Sequence, residues 1–73
     1  MNRRLYSNLV IARATAPAYP HQLVAVFEGK VRSIFRFSSK GERDSFIAEL
    51  VADGASAVES TLSLSDTEAE RAA

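Results

Sequence analysis

Two β-rich runs joined by one glycine-containing turn constrain the fold of this chain more than any other feature. Residues 22–28 and residues 31–37 contain many β-branched and aromatic side chains, and Gly29-Lys30 lies between them. A glycine between two such runs is typical of a β-hairpin. In the second arm the side chains alternate between an apolar face and a basic face, whereas both faces of the first arm are largely apolar. We therefore predict that the first arm is the central strand of a sheet.

A further strand is predicted before the hairpin. Residues 5–14 are rich in large apolar and β-branched side chains without helical spacing. They are followed by residues 15–21, which contain Pro17 and Pro20. Because proline cannot donate a hydrogen bond to a β-ladder, we expect residues 15–21 to form a stiff loop.

The segment after the hairpin carries the signals of both ends of a helix. The Ser39 hydroxyl can accept a hydrogen bond from the Glu42 amide while the Glu42 carboxylate reaches back, as in a capping box. Asp53-Gly54 is a typical helix end, because glycine tolerates the left-handed conformation that often closes a helix. We therefore predict a helix of about four turns between these positions.

One arc of this helix is apolar and consists of Phe46, Ile47, Leu50 and Val51. We expect this arc to cover the apolar face of the sheet. Arg43 projects toward the same arc, and we expect its methylene stem to lie along the sheet edge with the guanidinium in water.

These elements predict one two-layer α+β domain over residues 1–64, with a three- or four-stranded antiparallel sheet, the order β-β-β-α, and one helix on one face. Residues 57–64 alternate weakly and could add a short fourth strand. Residues 65–73 are acidic and alanine-rich without large apolar side chains, so we expect a flexible tail, disordered or forming a frayed helix. The second face of the sheet is then left open for a partner.

Length and residue usage limit the chemistry of the chain. A chain of 73 residues can form one hydrophobic core and leaves little room for a deep pocket. The absence of cysteine excludes disulfides and thiolate metal sites, which fits a reducing cytoplasm. Ser7, Asn8 and Arg13 interrupt the N-terminal apolar stretch, so we expect neither a signal peptide nor a membrane span.

We expect no enzymatic activity, no catalytic residue and no cofactor. The sequence offers no nucleophile beside an activating base and no glycine-rich phosphate loop. His21 is the only histidine, so it has no histidine or cysteine partner for a metal site, and we expect an exposed loop residue there.

The formal net charge is zero, but the charges are unevenly distributed along the chain. Residues 1–43 contain eight basic and two acidic side chains, whereas residues 44–73 contain one basic and seven acidic side chains. This asymmetry favours a surface that attracts an anionic partner. It fits equally well with basic strands and an acidic helix that complement each other inside one fold.

The candidate partner-binding residues are all arginines. We expect Arg13, Arg32 and Arg36 to share one face of the sheet, with Arg3 and Arg4 on an arm before the first strand. The alternative interpretation is an ordinary solvated strand face.

Three phenylalanines lie on the same predicted strands and could stack on RNA bases. These residues are Phe27, Phe35 and Phe37. We expect a core role instead, because Phe35 and Phe37 point toward the predicted helix. A sheet with so few strands must also leave an edge, which is a common docking site for an extended peptide, but the sequence does not say which edge is free.

The chain as a whole resembles the small RNA polymerase-binding transcription regulators of lytic Xanthomonas phages. The resemblance runs from MNRRLYSNLVIARATAPAYP through SIFRFSSKGERDSFI to the TEAERAA end. It implies a protein that binds host RNA polymerase near the RNA exit channel, at the N-terminal segment of the β′ subunit and the flap of the β subunit. It further implies inhibition of host promoters and suppression of intrinsic termination. The resemblance rests on overall likeness, so it transfers no individual functional residue.

Two other functions fit the residues. A basic face could bind RNA or DNA directly, although the acidic second half weakens the attractive field. The chain could also inhibit another host protein complex, and only the resemblance favours RNA polymerase over that alternative.

Overall fold

The computed structural model describes residues 5–72, which form one sheet with a helix on each face. The elements in chain order are β1 (Leu9–Ala16), β2 (Tyr19–Glu28), β3 (Val31–Arg36), α1 (Lys40–Ala52), β4 (Ser56–Ala57), β5 (Leu62–Ser63) and α2 (Asp66–Glu70). The strand order is β3-β2-β1-β4, and β5 also pairs with β1. The predicted α+β class is confirmed, with an antiparallel β1-β2-β3 sheet and one main helix packed on it.

Strand β2 is central, as its two apolar faces predicted. It pairs with β1 on one side and with β3 on the other. Its residues Leu23, Val24 and Ala25 are fully buried. Gly29-Lys30 forms the predicted tight turn to β3, and Gly29 takes a positive φ of 61° that suits glycine.

The expected loop over residues 15–21 is wrong, because β1 and β2 are joined by only Pro17 and Ala18. Pro20 lies inside β2, where it interrupts no ladder. The Phe37 amide bonds the Gln22 carbonyl at 2.9 Å at the end of β3. Pro20 has no partner in the register with β1 or with β3, because it lies beyond that end and beside the register shift between Ala14 and Ala16, so its missing N–H costs no ladder bond.

Helix α1 begins and ends at the predicted residues. The Ser39 hydroxyl accepts from the Glu42 amide at 3.1 Å, although the Glu42 carboxylate reaches back to Ser38 rather than to Ser39. At the other end Gly54 has a φ of 113°, and the Ala55 amide bonds the Leu50 carbonyl at 3.0 Å. This arrangement is a Schellman motif, which satisfies the last carbonyls of the helix.

Three residues of the predicted apolar arc of α1 pack on the first face of the sheet, which we call the α1 face: Phe46, Ile47 and Leu50. Val51, the fourth, is 42% exposed, so its predicted place in this contact is wrong. The buried core of this face consists of Ile11, Val24, Val26 and Ala55. Phe35 and Phe37 contact Phe46 of the helix with ring centroids 5.5 Å and 4.9 Å apart. The predicted core role of these two phenylalanines is thus confirmed.

Arg43 is more buried than predicted. It is only 4% exposed, and its Nε donates to Asp44 Oδ1 at 2.8 Å. The neighbouring carboxylate, held also by Lys40 at 3.5 Å, allows the guanidinium group to leave water. The expectation that this group lies in solvent is therefore corrected.

The predicted fourth strand is present as two short pieces, β4 and β5, and both run parallel to β1. This direction follows from α1, which returns the chain across the sheet after β3. The next extended segment therefore runs in the same direction as β1.

The second face of the sheet, which we call the α2 face, is partly covered. Ala14, Ala16 and Leu23 form a buried cluster with Leu64 and Ala69. The expectation of a flexible tail and a fully open second face is therefore corrected. Small alanines on β1 leave space for α2, so Ala69 fits closely without a large apolar side chain.

No helix within residues 5–72 is long and apolar enough to cross a membrane.

Candidate binding surface

The predicted arginines do not share one face. Arg3 and Arg4 lie outside the described residues. Arg13 lies opposite Val24 and therefore on the α1 face. Arg32 and Arg36 lie on the α2 face. The expectation of one basic face is corrected, because the register of β1 against β2 sets Arg13 on the side opposite to the other two.

Arg32 is paired within the molecule. Its Nη2 lies 2.8 Å from Glu68 Oε2 of α2, and both side chains are about two-fifths exposed, at 41% and 40%. An ion pair with this exposure contributes little to stability, because water screens it. It does, however, reduce the positive field that Arg32 presents to an external partner.

Arg36 also contacts α2. Its Nη1 donates to the Ala69 carbonyl at 3.3 Å, near the end of the helix. Its guanidinium carbon lies 4.9 Å from the centre of the Tyr19 ring, which is a cation–π arrangement. Arg36 thus helps to hold α2 on the sheet while its side chain remains at the surface.

Glu68 connects the start of α2 to Arg32. Its carboxylate accepts a hydrogen bond from the Ser65 amide at 3.1 Å, and the Ser65 hydroxyl accepts from the Glu68 amide at 3.1 Å. The Ser65 amide is the main cause that holds the pKa of Glu68 below its ordinary value, and Arg32 lowers it further against the effect of desolvation. Glu68 is therefore charged at neutral pH and bound at both of its oxygens.

These contacts bear on the two interpretations of the charge asymmetry. Arg32 and Arg36 contact the acidic C-terminal segment, so complementarity inside the fold accounts for part of it. Arg13 is different: its side chain is exposed and has no hydrogen bond or ion pair with any of residues 5–72. Arg13 is the predicted contact residue that is most accessible to a partner.

Strand β3 forms one free edge of the sheet and pairs only with β2, whereas the two-residue strands β4 and β5 form the other edge. The Phe37 amide points toward β2, and the N–H and C=O groups of successive residues in a strand point to opposite sides. The amides of Arg32, Ile34 and Arg36 therefore point away from the sheet. None of these three amides has a partner among the described residues.

A groove lies beside this edge on the α1 face. It has a volume of about 580 Å³ and is lined by Phe37, Gly41, Glu42, Ser45, Phe46 and Glu49. Phe37 and Phe46 are half-buried and form its apolar floor. The Ser38 hydroxyl and amide lower the pKa of Glu42, so this carboxylate is charged at neutral pH. Glu49 is exposed and makes no side-chain contact with described polar groups.

On the α2 face, the same edge borders a smaller hollow of about 340 Å³. Its lining consists of Arg32, Ile34, Glu68, Arg71 and Ala72. Two of these side chains are cationic and one is anionic. The two sides of the β3 edge therefore differ in charge, with acidic side chains on the α1 side and mainly basic ones on the α2 side.

Sequence reasoning missed the groove, and it predicted a free edge without saying which strand forms it. The two apolar faces of β2 indicated that β3 is not central, which was a usable signal for the edge. The Ser65-x-x-Glu68 capping pattern was likewise a signal for α2. The groove depends on the position and angle at which α1 crosses the sheet. The spacing of apolar residues along the sequence does not determine either of them.

No cluster of three or more potential metal ligands occurs within residues 5–72. His21 is exposed on β2 rather than in the expected loop.

Comparisons of the chain with protein-family models, with curated proteins and with solved structures gave no match.

Proposed function

We propose that this chain is a phage-encoded transcription regulator that acts in the host cytoplasm by binding RNA polymerase. In this proposal it binds near the RNA exit channel, at the N-terminal segment of the β′ subunit and the flap of the β subunit. It thereby inhibits initiation at host promoters and suppresses intrinsic termination. The overall sequence resemblance supplies the target.

The structural observation that supports a binding role is the open edge of β3. The outward-facing amides of Arg32, Ile34 and Arg36 have no partner among residues 5–72, and a strand of another chain can complete their hydrogen bonds. Val31 on this edge is 65% exposed, which leaves apolar surface available beside them. An edge of this kind suits attachment to a protein surface.

The arginines have different parts in this proposal. Arg13 is the described arginine best suited to contact acidic polymerase surface or the emerging transcript. Arg32 and Arg36 would contribute only where a partner competes with α2 for them. Arg3 and Arg4 remain proposed contacts from the N-terminal arm.

The test combines binding and transcription with purified components. Immobilised full-length protein should retain RNA polymerase subunits from host lysate at low salt. The free protein should reduce promoter-initiated transcription and increase readthrough of an intrinsic terminator. Recovery of no subunit, or unchanged transcription at saturating protein, contradicts the proposal.

Arg13→Glu gives a residue-level version of the same test. We expect it to weaken polymerase binding about tenfold by reversing an exposed charge at the interface. The thermal unfolding midpoint should stay nearly unchanged, since Arg13 has no described partner. Arg32→Glu is the matched comparison: it places a negative charge beside Glu68 and should lower the unfolding midpoint.

Direct nucleic-acid binding is distinguished by a titration with single-stranded RNA in the absence of polymerase. Strong binding with a steep loss of affinity on adding salt would favour an RNA-binding module instead.

A further inference from the structure

We infer that the β3 edge binds an extended peptide segment of a protein partner as an additional strand, and that this segment has two chemically distinct faces. Apolar and cationic side chains face the groove beside α1, and acidic or neutral polar side chains face the α2 side. This inference deepens the proposed function and rests on it for the existence of a protein partner.

The backbone of β3 favours the addition of a strand. Arg32, Ile34 and Arg36 direct their amides outward, so an added strand would continue the ladder that β2 begins. Basic side chains on an edge also discourage self-association, because identical edges repel each other. The occupant favoured by this edge is therefore a different chain whose acidic side chains lie opposite Arg36 and compete with Glu68 for Arg32.

The groove beside α1 can receive side chains of the added strand. An added strand sends alternate side chains to the α1 face, where the groove lies between the end of β3 and the outer side of α1. Phe37 and Phe46 present half-buried rings that an apolar side chain can cover. The volume of about 580 Å³ is sufficient for more than one side chain of the partner.

Charged side chains distinguish the two faces of the β3 edge. Glu42 and Glu49 border the groove, and no cationic side chain lines it. A lysine or arginine next to the apolar anchor would therefore be attracted there. On the α2 side, Arg71 borders the hollow beside the Arg32–Glu68 ion pair, so the charge that the pair leaves uncompensated there is positive.

The test uses the full chain and a synthetic peptide slightly longer than the six residues of β3. Odd positions of the peptide alternate leucine with lysine, and even positions alternate glutamate with threonine. An extended backbone then places each pair on its own face. A control peptide of the same composition distributes all four residue types over both faces.

Fluorescence anisotropy of the labelled peptides measures affinity. We expect the patterned peptide to bind about tenfold more tightly than the control peptide. Amide hydrogen exchange then locates the site. On binding, exchange should slow at Arg32, Ile34 and Arg36, while Ser33 and Phe35 are already protected by pairing with β2.

Two pairs of variants test the backbone and the groove separately. Arg32→Pro removes one outward amide, a position where an edge strand tolerates proline, and should weaken peptide binding about fivefold relative to Arg32→Ala. Glu49→Lys should weaken it about tenfold. Glu59→Lys is the matched control, since Glu59 is exposed between β4 and β5, at the edge of the sheet opposite to β3.

Equal binding of the two peptides overturns the inference, as does unchanged exchange at the three outward amides. If Arg32→Pro unfolds, the exchange experiment on the unmodified chain gives the answer alone. Specific peptide binding without recovery of polymerase subunits would contradict the proposed function and support the inference. Polymerase binding without peptide binding at this edge would support the proposed function and contradict the inference.

Discussion

At the scale of single residues, Phe46 joins α1 to the sheet through its contacts with Phe35 and Phe37. Phe46→Ala removes both contacts and leaves a cavity, so we expect the free energy of unfolding to fall by about 3 kcal/mol. Urea denaturation measures this loss. Phe46→Leu keeps most of the volume and should cost about 1 kcal/mol. A loss below about 1 kcal/mol in Phe46→Ala would mean that the ring contributes little to the core.

Acid sensitivity is also set by single residues. Hydrogen bonds and nearby cations hold the pKa of Glu42, Asp44 and Glu68 below their ordinary values of 4.5, 3.8 and 4.5. A lowered folded-state pKa contributes stability that is complete above the unfolded value and is lost as pH falls through the folded value. The contribution of these three carboxylates to stability should therefore be complete from neutral pH to about pH 5 and decrease below it.

Glu68→Gln tests one part of this dependence. Urea unfolding at a series of pH values should show a shallower decrease below about pH 5 than in the unmodified protein. Glu70→Gln is the control, because Glu70 is exposed on the same helix without a described polar partner. An unchanged acid decrease in Glu68→Gln would contradict the assignment.

At the scale of elements, α2 distinguishes this fold from a three-stranded sheet with a loose tail. Ala69 is fully buried, whereas Thr67 on the same helix is exposed. Ala69→Asp would bury an unpaired carboxylate or displace α2, and we expect a loss of about 1–3 kcal/mol. Thr67→Asp should change stability by less than about 0.5 kcal/mol. Thermal unfolding of both variants measures the difference, and equal midpoints would show that α2 is not docked.

The elements also show what the sequence could predict. Local signals were sufficient for the β2-β3 hairpin and for both ends of α1, because Gly29, Ser39 and Gly54 act through their own backbone neighbours. The side of Arg13 could not be predicted, since it depends on the register between β1 and β2. The docking of α2 could not be predicted either, because an alanine is a sufficient anchor only where the opposing surface is made of alanines.

At the scale of the whole molecule, β1 connects both ends of the chain. It pairs with β2 on one side and with β4 and β5 on the other. We therefore expect one cooperative unfolding transition. Tyr19 lies against Arg36 and the α2 cluster, so its fluorescence in a Tyr6→Phe variant reports on that region. Its melting curve should coincide with far-UV circular dichroism; an earlier change in Tyr19 would indicate that the α2 region unfolds separately.

The position of β1 has a consequence for synthesis of the protein. Strand β1 receives its last partners from residues 56–63, which are synthesised after β2, β3 and α1. During translation β1 can therefore pair with β2 before residues 56–63 are available to pair with its other side. A premature stop before Ser56 would release a chain in which β1 keeps one side exposed to aggregation.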